Sequence, residues 1–147
     1  MNQKAQANLA RFCAYQERSP FEVLEKMEQQ GVPPEEMEEI IRWLEKNNFL
    51  NESRFARTFA QSKFNSRKWG KIKIRFHLEN KKISKKAIEE ALNSIDNKTY
   101  LEALEQLITE KGEKVLTENA YKKNYKIARF LIARGFEPDL IWHYLRV

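Results

Sequence analysis

The feature that most constrains the fold of this chain is an internal repeat in its pattern of apolar residues. The segment that begins at Ser19, SPFEVLEKMEQQGVPPEEMEEIIRWL, aligns without a gap with GKIKIRFHLENKKISKKAIEEALNSI from Gly70. A third copy, NYKIARFLIARGFEPDLIWHYL from Asn124, continues the pattern, and the successive offsets are 51 and 53 residues. Repeats of this length are typical of stacked units that cannot bury their apolar faces alone.

The matched positions carry apolar side chains at helical spacing. In the order of the copies they are Phe21, Ile72 and Tyr125; Val23, Ile74 and Ile127; Met27, Leu78 and Leu131; Val32, Ile83 and Phe136; and Met37, Ile88 and Ile141. Each copy is predicted to contain a helix, a short second helix, a tight connection and a third helix. The predicted fold is all-α, with nine helices in three tandem three-helix repeats that form an elongated, curved array. The repeats are placed at residues 1–50 (acidic), 51–97 (strongly basic) and 98–147.

Start and stop signals separate the predicted helices. Ser19 and Glu22 have the spacing of a capping box, with Pro20 at the first helical position, where its missing N–H costs nothing. Further helix starts are predicted at Pro33, Pro34 and Pro138. Left-handed C-caps are predicted at the glycines that follow apolar stripes, namely Gly31, Gly112 and Gly135.

One stretch of the middle repeat has the wrong period for a helix. Residues 71–78 alternate polar and apolar, which is typical of a half-buried strand. The aligned segment of the first repeat is helical by its capping box and its spacing, so residues 70–80 are predicted to be a helix too. In that helix Ile74 and Leu78 are expected to face inward, with Ile72 and Phe76 on a neighbouring apolar stripe. Lys73 and His77 are then expected to point toward the outer side.

The middle repeat also concentrates positive charge. Between residues 54 and 86 a single acid, Glu79, stands among twelve bases, whereas the whole chain is only +6. The bases are Arg54, Arg57, Lys63, Arg67, Lys68, Lys71, Lys73, Arg75, Lys81, Lys82, Lys85 and Lys86. A solvated face that serves only solubility would intersperse the two signs, so a polyanionic partner is favoured. Trp69 and Phe76 lie within this segment and either stack on bases or pack, and packing at a helix corner is favoured for Trp69.

Enzyme chemistry finds little support in the sequence. Cys13 is the sole cysteine, which fits a small buried hydrophobe in a reducing cytoplasm. The two histidines, His77 and His143, have no partner at metal-ligand spacing, and no glycine-rich phosphate loop occurs. No apolar run is long enough for a membrane span, and the first residues lack a secretory signal. The sequence predicts a cytoplasmic protein, not an enzyme, with no cofactor and no metal.

Three segments together resemble the RecX family of regulatory proteins. The first runs from Asn48 to Ala56, NFLNESRFA. The second contributes Gly70, Lys73, Ile74, Leu78, Lys81 and Ile83. The third comprises KIARFL from Lys126 and RGF from Arg134. The order and spacing match the family over about residues 10–147. The chain departs from the family at Lys71, where Pro is usual, and at Lys82, where Gly is usual, and without that glycine the helix before Ile83 is expected to end by another geometry.

The resemblance implies a non-enzymatic regulator of the recombinase RecA. Family members bind in the groove of the RecA–single-stranded DNA filament and modulate, most often inhibit, ATP hydrolysis and strand exchange. The implied partners are RecA and single-stranded DNA, touched directly or through the filament, with no membrane, and the protein is expected to be a monomer. The expected contacts are Arg67, Lys68, Lys71, Lys73, Arg75, Lys81, Lys82, Arg129 and Arg134. Two alternatives stay open, which are an autonomous nucleic-acid-binding helical module and an adaptor for an acidic protein.

Overall fold

The computed structural model describes residues 2–145, and over this range the chain is built from helices and short connections without a strand. The nine helices of this range are α1 (Gln3–Tyr15), α2 (Pro20–Gln29), α3 (Pro34–Lys46), α4 (Glu52–Arg67), α5 (Lys71–Asn80), α6 (Lys85–Asn93), α7 (Asn97–Lys114), α8 (Ala120–Ala133) and α9 (Pro138–Leu145). The all-α prediction is therefore confirmed. No helix within this range is both long and apolar enough to cross a bilayer.

The helices fall into two compact units that do not follow the order of the chain. Unit 1 contains the residues up to Phe59 together with Leu78–Ala91. Unit 2 contains Ala60–His77 together with the residues from Leu92 onward. Helices α4, α5 and α6 are each divided between the units. The repeat boundaries at 50/51 and 97/98 stay predictions.

Unit 1 has its own apolar core, to which α1, α2 and α3 all contribute because the three helices pack on one another. The buried residues of this cluster are Ala5, Leu9, Cys13, Val23, Met27, Val32, Ile40, Leu44 and Leu50. Burial raises the pKa of the Cys13 thiol to about 11. The cysteine is the buried hydrophobe that the sequence predicts.

Unit 2 is built around a buried tyrosine. Tyr100 of α7 is 1 % exposed, and its ring centroid lies 5.5 Å from that of Phe64 and 5.3 Å from that of Phe136. Helices α7, α8 and α9 pack on one another around the same core. The buried aliphatic side chains of this unit include Ile74, Leu104, Ile127, Leu131 and Ile141.

The second helix of each repeat ends in the same way. The N–H of Val32 donates to the Met27 carbonyl (3.0 Å), that of Ile83 to Leu78 (3.2 Å) and that of Phe136 to Leu131 (3.1 Å). The residue before each of these donors has a positive φ, namely Gly31 (+73°), Lys82 (+61°) and Gly135 (+95°). All three ends are Schellman caps.

Two expectations about helix ends are wrong. Lys82 adopts the left-handed conformation that a glycine would adopt, so α5 does not end by another geometry. The i to i−5 hydrogen bond from Ile83 holds the lysine in this conformation despite its Cβ. Gly112 caps nothing, because α7 continues through it to Lys114. By contrast, the capping box of Ser19 and Glu22 is present, and α3 and α9 begin at prolines as predicted.

Helix α5 confirms the helical prediction for residues 70–80 but corrects its faces. Ile74 and Leu78 are fully buried, as expected. Ile72 and Phe76 are 48 % and 53 % exposed, so they are surface residues, although Ile72 matches the apolar Phe21 of the first repeat. Lys73 and His77 are half-buried rather than outward-facing, because Trp69 covers them. The exposed face of α5 is therefore partly apolar.

Candidate partner-binding surface

The junction between α4 and α5 forms a tight corner rich in basic residues. Helix α4 ends at Arg67, and Lys68 then adopts a positive φ of +53°, which reverses the chain. The N–H groups of Lys68 and Trp69 donate back to the carbonyls of Phe64 (3.0 Å) and Lys63 (3.3 Å). Three residues after Arg67 the chain reaches Gly70, just before the first residue of α5.

Main-chain hydrogen bonds attach this corner to the end of α8. The Gly70 N–H donates to the Arg134 carbonyl (2.8 Å), and the Ile72 N–H donates to the Gly135 carbonyl (2.9 Å). These donors belong to the first turn of α5, where no intrahelical acceptor exists, and the acceptors follow the last turn of α8. A guanidinium N–H of Arg134 also donates to the Arg67 carbonyl. The end of each helix thus satisfies the polar groups of the other.

The backbones approach so closely that only glycine fits on either side. A Cβ at Gly70 would lie 2.3 Å from main-chain atoms of Gly135 and Phe136. A Cβ at Gly135 would lie 2.3 Å from the Cβ of Lys73. The two glycines stand in the second and third segments that resemble the RecX family, so these segments are packing partners.

The buried Tyr100 links the start of α5 to the segment that follows α8. Its hydroxyl accepts a hydrogen bond from the Lys71 N–H (2.9 Å) and donates one to the carboxylate of Glu137. Burial, reinforced by the hydrogen bond to Glu137, raises the pKa of Tyr100 above its ordinary value. The hydroxyl therefore stays protonated and continues to act as donor and acceptor at neutral pH.

The indole ring of Trp69 is in contact with several basic side chains at the corner. The Nζ atoms of Lys63 and Lys73 lie 5.3 Å and 4.6 Å from its ring centroid, and the His77 ring lies 4.6 Å away. Cation–π attraction holds the ammonium groups near each other in spite of their repulsion. With cations and an imidazole against its ring, Trp69 serves packing, which supports the favoured sequence interpretation over base stacking.

Five of the predicted contact residues meet at this corner, which we call the α4–α5 corner and define as Arg67, Lys68, Lys71, Lys73 and Arg134. Arg67 and Lys68 are exposed, and the other three are half-buried. Lys71 places its Nζ 4.8 Å from the Tyr100 ring centroid. Among residues 2–145, the first four form no ion pair.

The exposed apolar pair of α5 adjoins these cations. Ile72 and Phe76 lie one turn apart, and at 100° per residue Lys73 falls beside them on one flank of the helix and Arg75 on the other. Arg75 itself is half-buried. Cations and apolar side chains therefore share one face, a composition that suits a protein partner bearing negative charge.

The remaining predicted residues lie elsewhere. Arg129 is exposed on α8, with its guanidinium carbon 5.9 Å from the Tyr125 ring centroid. Lys81 and Lys82 belong to unit 1, where Lys81 pairs with Glu22 at 3.6 Å while Lys82 is exposed. Lys81 is thus engaged in packing within unit 1, which weakens its case as a contact.

The first family-like segment turns out to organise unit 1. Asn51 accepts from the Arg54 N–H (2.9 Å) and so caps α4, while the Arg54 side chain pairs with Glu17 at 2.6 Å. Glu52 accepts from the Ser84 hydroxyl at 2.8 Å. These polar residues satisfy one another, so Arg54 is neutralised within the fold although it opens the basic segment.

Sequence reasoning missed two groups of surface residues. The first is the exposed pair Ile72 and Phe76, which the sequence places on an apolar stripe beside the buried one, although Phe76 aligns with Glu25 and Arg129 in the other repeats. The second group, Lys111, Lys114 and Lys126, lines an open groove of about 610 Å³ beside Arg129 and Phe130. The signal that could have revealed it is the composition of α8, which carries four basic residues and no acid.

The fold and the surface together define a class, that of all-helical binding proteins built from three-helix units with a cationic face. Comparison with known proteins makes the class specific. Residues 51–92 match the family model of the second three-helix domain of RecX, and residues 98–145 match that of the third. The chain belongs to the RecX family of regulatory proteins, which is not a family of enzymes.

Individual relatives agree with this assignment. The regulatory protein RecX of Lactobacillus johnsonii is 30% identical over 88% of this chain and 48% of the relative. That of Escherichia coli strain SE11 is 35% identical over 69% of this chain and 60% of the relative. The crystal structure of RecX from Lactobacillus salivarius superposes with a TM-score of 0.90 at 23% identity, covering 97% of this chain and 92% of that one, and shows the same fold. The chain spans about half the length of the first curated relatives it matches.

Proposed function

We propose that this chain binds the filament that RecA forms on single-stranded DNA, in the filament groove, and inhibits RecA ATP hydrolysis and strand exchange in recombination and DNA repair. It would act in the cytoplasm as a monomer. The observation that carries the proposal is the α4–α5 corner, where cations that form no ion pair among residues 2–145 adjoin exposed Ile72 and Phe76 in a chain of the RecX family.

A nucleoprotein filament has binding partners for both the cations and the apolar side chains of this face. Its DNA supplies phosphates for the basic side chains, and its protein supplies a surface on which apolar side chains are desolvated. Bare single-stranded DNA would use the cations and can stack a base on Phe76, but it would leave the aliphatic Ile72 exposed. The mixed face therefore favours a filament over DNA alone.

The direct test is the ATPase rate of RecA on single-stranded DNA with and without this protein. We expect the rate to fall as the protein is added. An unchanged rate at concentrations that saturate the filament would contradict the proposal.

Two double variants separate the two halves of the face. Arg67→Gln with Lys68→Asn removes two exposed charges, and Asn tolerates the positive φ at position 68. Ile72→Ser with Phe76→Ser removes the apolar pair. We expect each to raise the concentration for half-inhibition about tenfold, equivalent to about 1.4 kcal/mol.

The matched control for the charge variant is Lys4→Gln with Lys98→Gln, which changes the net charge equally at exposed positions that are not part of the corner. It should inhibit like the unaltered protein. Equal loss in the control and the corner variant would indicate a general charge effect and not a defined contact.

The second candidate function is an autonomous nucleic-acid-binding module, favoured by the basic groove beside α8. Binding to bare single-stranded DNA and to RecA-coated DNA distinguishes the two. Tighter binding to the coated DNA supports the regulator, whereas tight binding to bare DNA that RecA does not change supports the module.

A further inference from the structure

Helix α8 presents a second basic surface whose residues lie outside the α4–α5 corner. The helix contains Lys122, Lys123, Lys126 and Arg129 and no acidic residue. Beside it, Lys111 and Lys114 from the last turns of α7 line the same groove as Lys126 and Arg129. The groove has four cationic and no acidic lining residues, which is an arrangement for a polyanion.

Aromatic side chains accompany these charges on the surface. Tyr121 and Tyr125 lie one turn apart on α8 and are 82 % and 54 % exposed. Arg129 lies one further turn along, with its guanidinium over the Tyr125 ring. From Tyr121 to Arg129 the helix rises about 12 Å, so the three side chains form a short row.

The combination of a cationic groove and a row of exposed rings is specific in its chemistry. An acidic peptide would need the cations but has no use for flat aromatic faces. Unpaired bases stack on such faces irrespective of sequence, while their phosphates follow the cationic groove. Duplex bases are already stacked on each other and cannot occupy the rings.

The geometry points to a direct binding site for single-stranded nucleic acid on α7 and α8. Lys111, Lys114, Lys126 and Arg129 contact phosphates, and Tyr121 and Tyr125 stack on bases. The groove is open to solvent, and Arg129 belongs both to its lining and to the row of rings, so the site suits a strand of several nucleotides better than a free nucleotide. This site deepens the proposed function and rests on it only for the biological source of the strand.

Binding of a labelled oligothymidylate to the full chain, without RecA, tests the site. Tyr121→Ala with Tyr125→Ala should weaken binding about tenfold per ring without changing the salt dependence. Lys111→Gln with Lys126→Gln should weaken binding at low salt and flatten the slope of log affinity against log salt by about 1.4, since each phosphate contact on a single strand contributes about 0.7.

Two controls make the result specific. Tyr121→Phe with Tyr125→Phe keeps both rings and should bind like the unaltered protein. Lys4→Gln with Lys98→Gln, at exposed positions off the groove, should do the same. Circular dichroism of every variant should match that of the unaltered protein, because the substituted positions lie on the surface or its margin.

Three results would overturn the inference. They are unaltered binding by the tyrosine-to-alanine variant, equal competition by a duplex of the same sequence, and equal competition by polyglutamate. Since RecA is absent, the inference can hold even if the protein fails to inhibit RecA, and RecA inhibition can persist if this site fails. The two proposals therefore fail separately.

Discussion

At the scale of single residues, Gly70 has the least room for change. Its α-carbon faces main-chain atoms of Gly135 and Phe136, which cannot rotate away as a side chain can. We expect Gly70→Ala to lower the free energy of unfolding by about 3 kcal/mol, at the upper end of typical overpacking costs. Thermal denaturation followed by circular dichroism measures the loss.

Gly112 provides a matched control of the opposite sign. It lies inside α7, and a Cβ there would make ordinary contacts at 3.7 Å with the side chains of Ile127 and Lys123. Gly112→Ala should therefore raise the stability by about 0.5–1 kcal/mol, as for a helix interior. If both substitutions had the same sign, close approach would not explain the role of Gly70.

Cys13 should make the stability of the protein sensitive to alkaline pH. Its pKa rises from 9.0 to about 11 in the fold because burial disfavours the thiolate. The unfolded chain then loses this proton at lower pH than the folded protein does, so stability is complete below pH 9 and declines as the pH rises toward 11.

The decline should approach about 1.4 kcal/mol per pH unit for one such group. Urea denaturation between pH 8 and pH 10 measures it, and Cys13→Ala should flatten it. The raised pKa of Tyr100 acts in the same direction but only above pH 10, its ordinary value. A variant that declines as steeply as the unaltered protein would assign the effect elsewhere.

At the scale of elements, the end of α5 stores strain that sequence comparison did not reveal. Lys82 holds a φ of +61°, which costs an L-residue about 1–2 kcal/mol relative to glycine. Lys82→Gly should therefore raise the stability by about 1 kcal/mol, whereas Lys82→Ala should leave it nearly unchanged. Chemical denaturation distinguishes the pair, and equal effects would mean that the charge and not the backbone decides.

The same helix shows what a repeat can and cannot predict. Comparison of the repeats correctly predicted a helix where the alternation of polar and apolar residues indicated a strand. It also identified Ile74 and Leu78 as buried, because the equivalent positions are buried in every copy. It failed for Ile72, since equal positions in a repeat need not have equal neighbours, and it gave no support for burying Phe76, which aligns with Glu25 and Arg129. Burial there depends on which element packs alongside, and local sequence does not encode that.

The attachment of α5 to α8 was unpredictable for a related reason. The two hydrogen bonds that join α5 directly to the end of α8 link main-chain groups, which leave no mark in composition or periodicity. Gly70 and Gly135 could be recognised in the sequence only as separate glycines near helix ends, and nothing there indicated that they are in contact. Only the fold brings Gly70 and Gly135 together and shows why neither can carry a side chain.

At the scale of the whole molecule, positive charge is concentrated in one segment, residues 54–86, and ion pairs offset only part of it. Arg54 and Lys81 are paired within unit 1, whereas Arg67, Lys68 and Lys71 are not paired among residues 2–145. Unpaired like charges destabilise a fold by mutual repulsion, and salt screens them. We expect the stability to rise with moderate sodium chloride, by about 1 kcal/mol or less.

The charge variant of the corner tests whether the cations that destabilise the fold by repulsion are also the ones that inhibit RecA. Arg67→Gln with Lys68→Asn should reduce the rise of stability with salt while it weakens inhibition of RecA. Differential scanning calorimetry at low and moderate salt measures the first effect. If the variant kept the full salt response, the repulsion would originate elsewhere in the chain.

The joint between α5 and α8 has a consequence for how such a surface can change over generations. Its hydrogen bonds between α5 and α8 join main-chain groups, two glycines let the backbones meet, and the side chains that reinforce it are those of Tyr100, Glu137 and Arg134. The lysines around it take no part in these hydrogen bonds through their side chains. Mutations can exchange lysine for glutamate around the joint without altering the angle at which the two helices meet. The arrangement of the helices can therefore be conserved while the surface charge changes. Relatives with the same fold can in this way come to bind different partners.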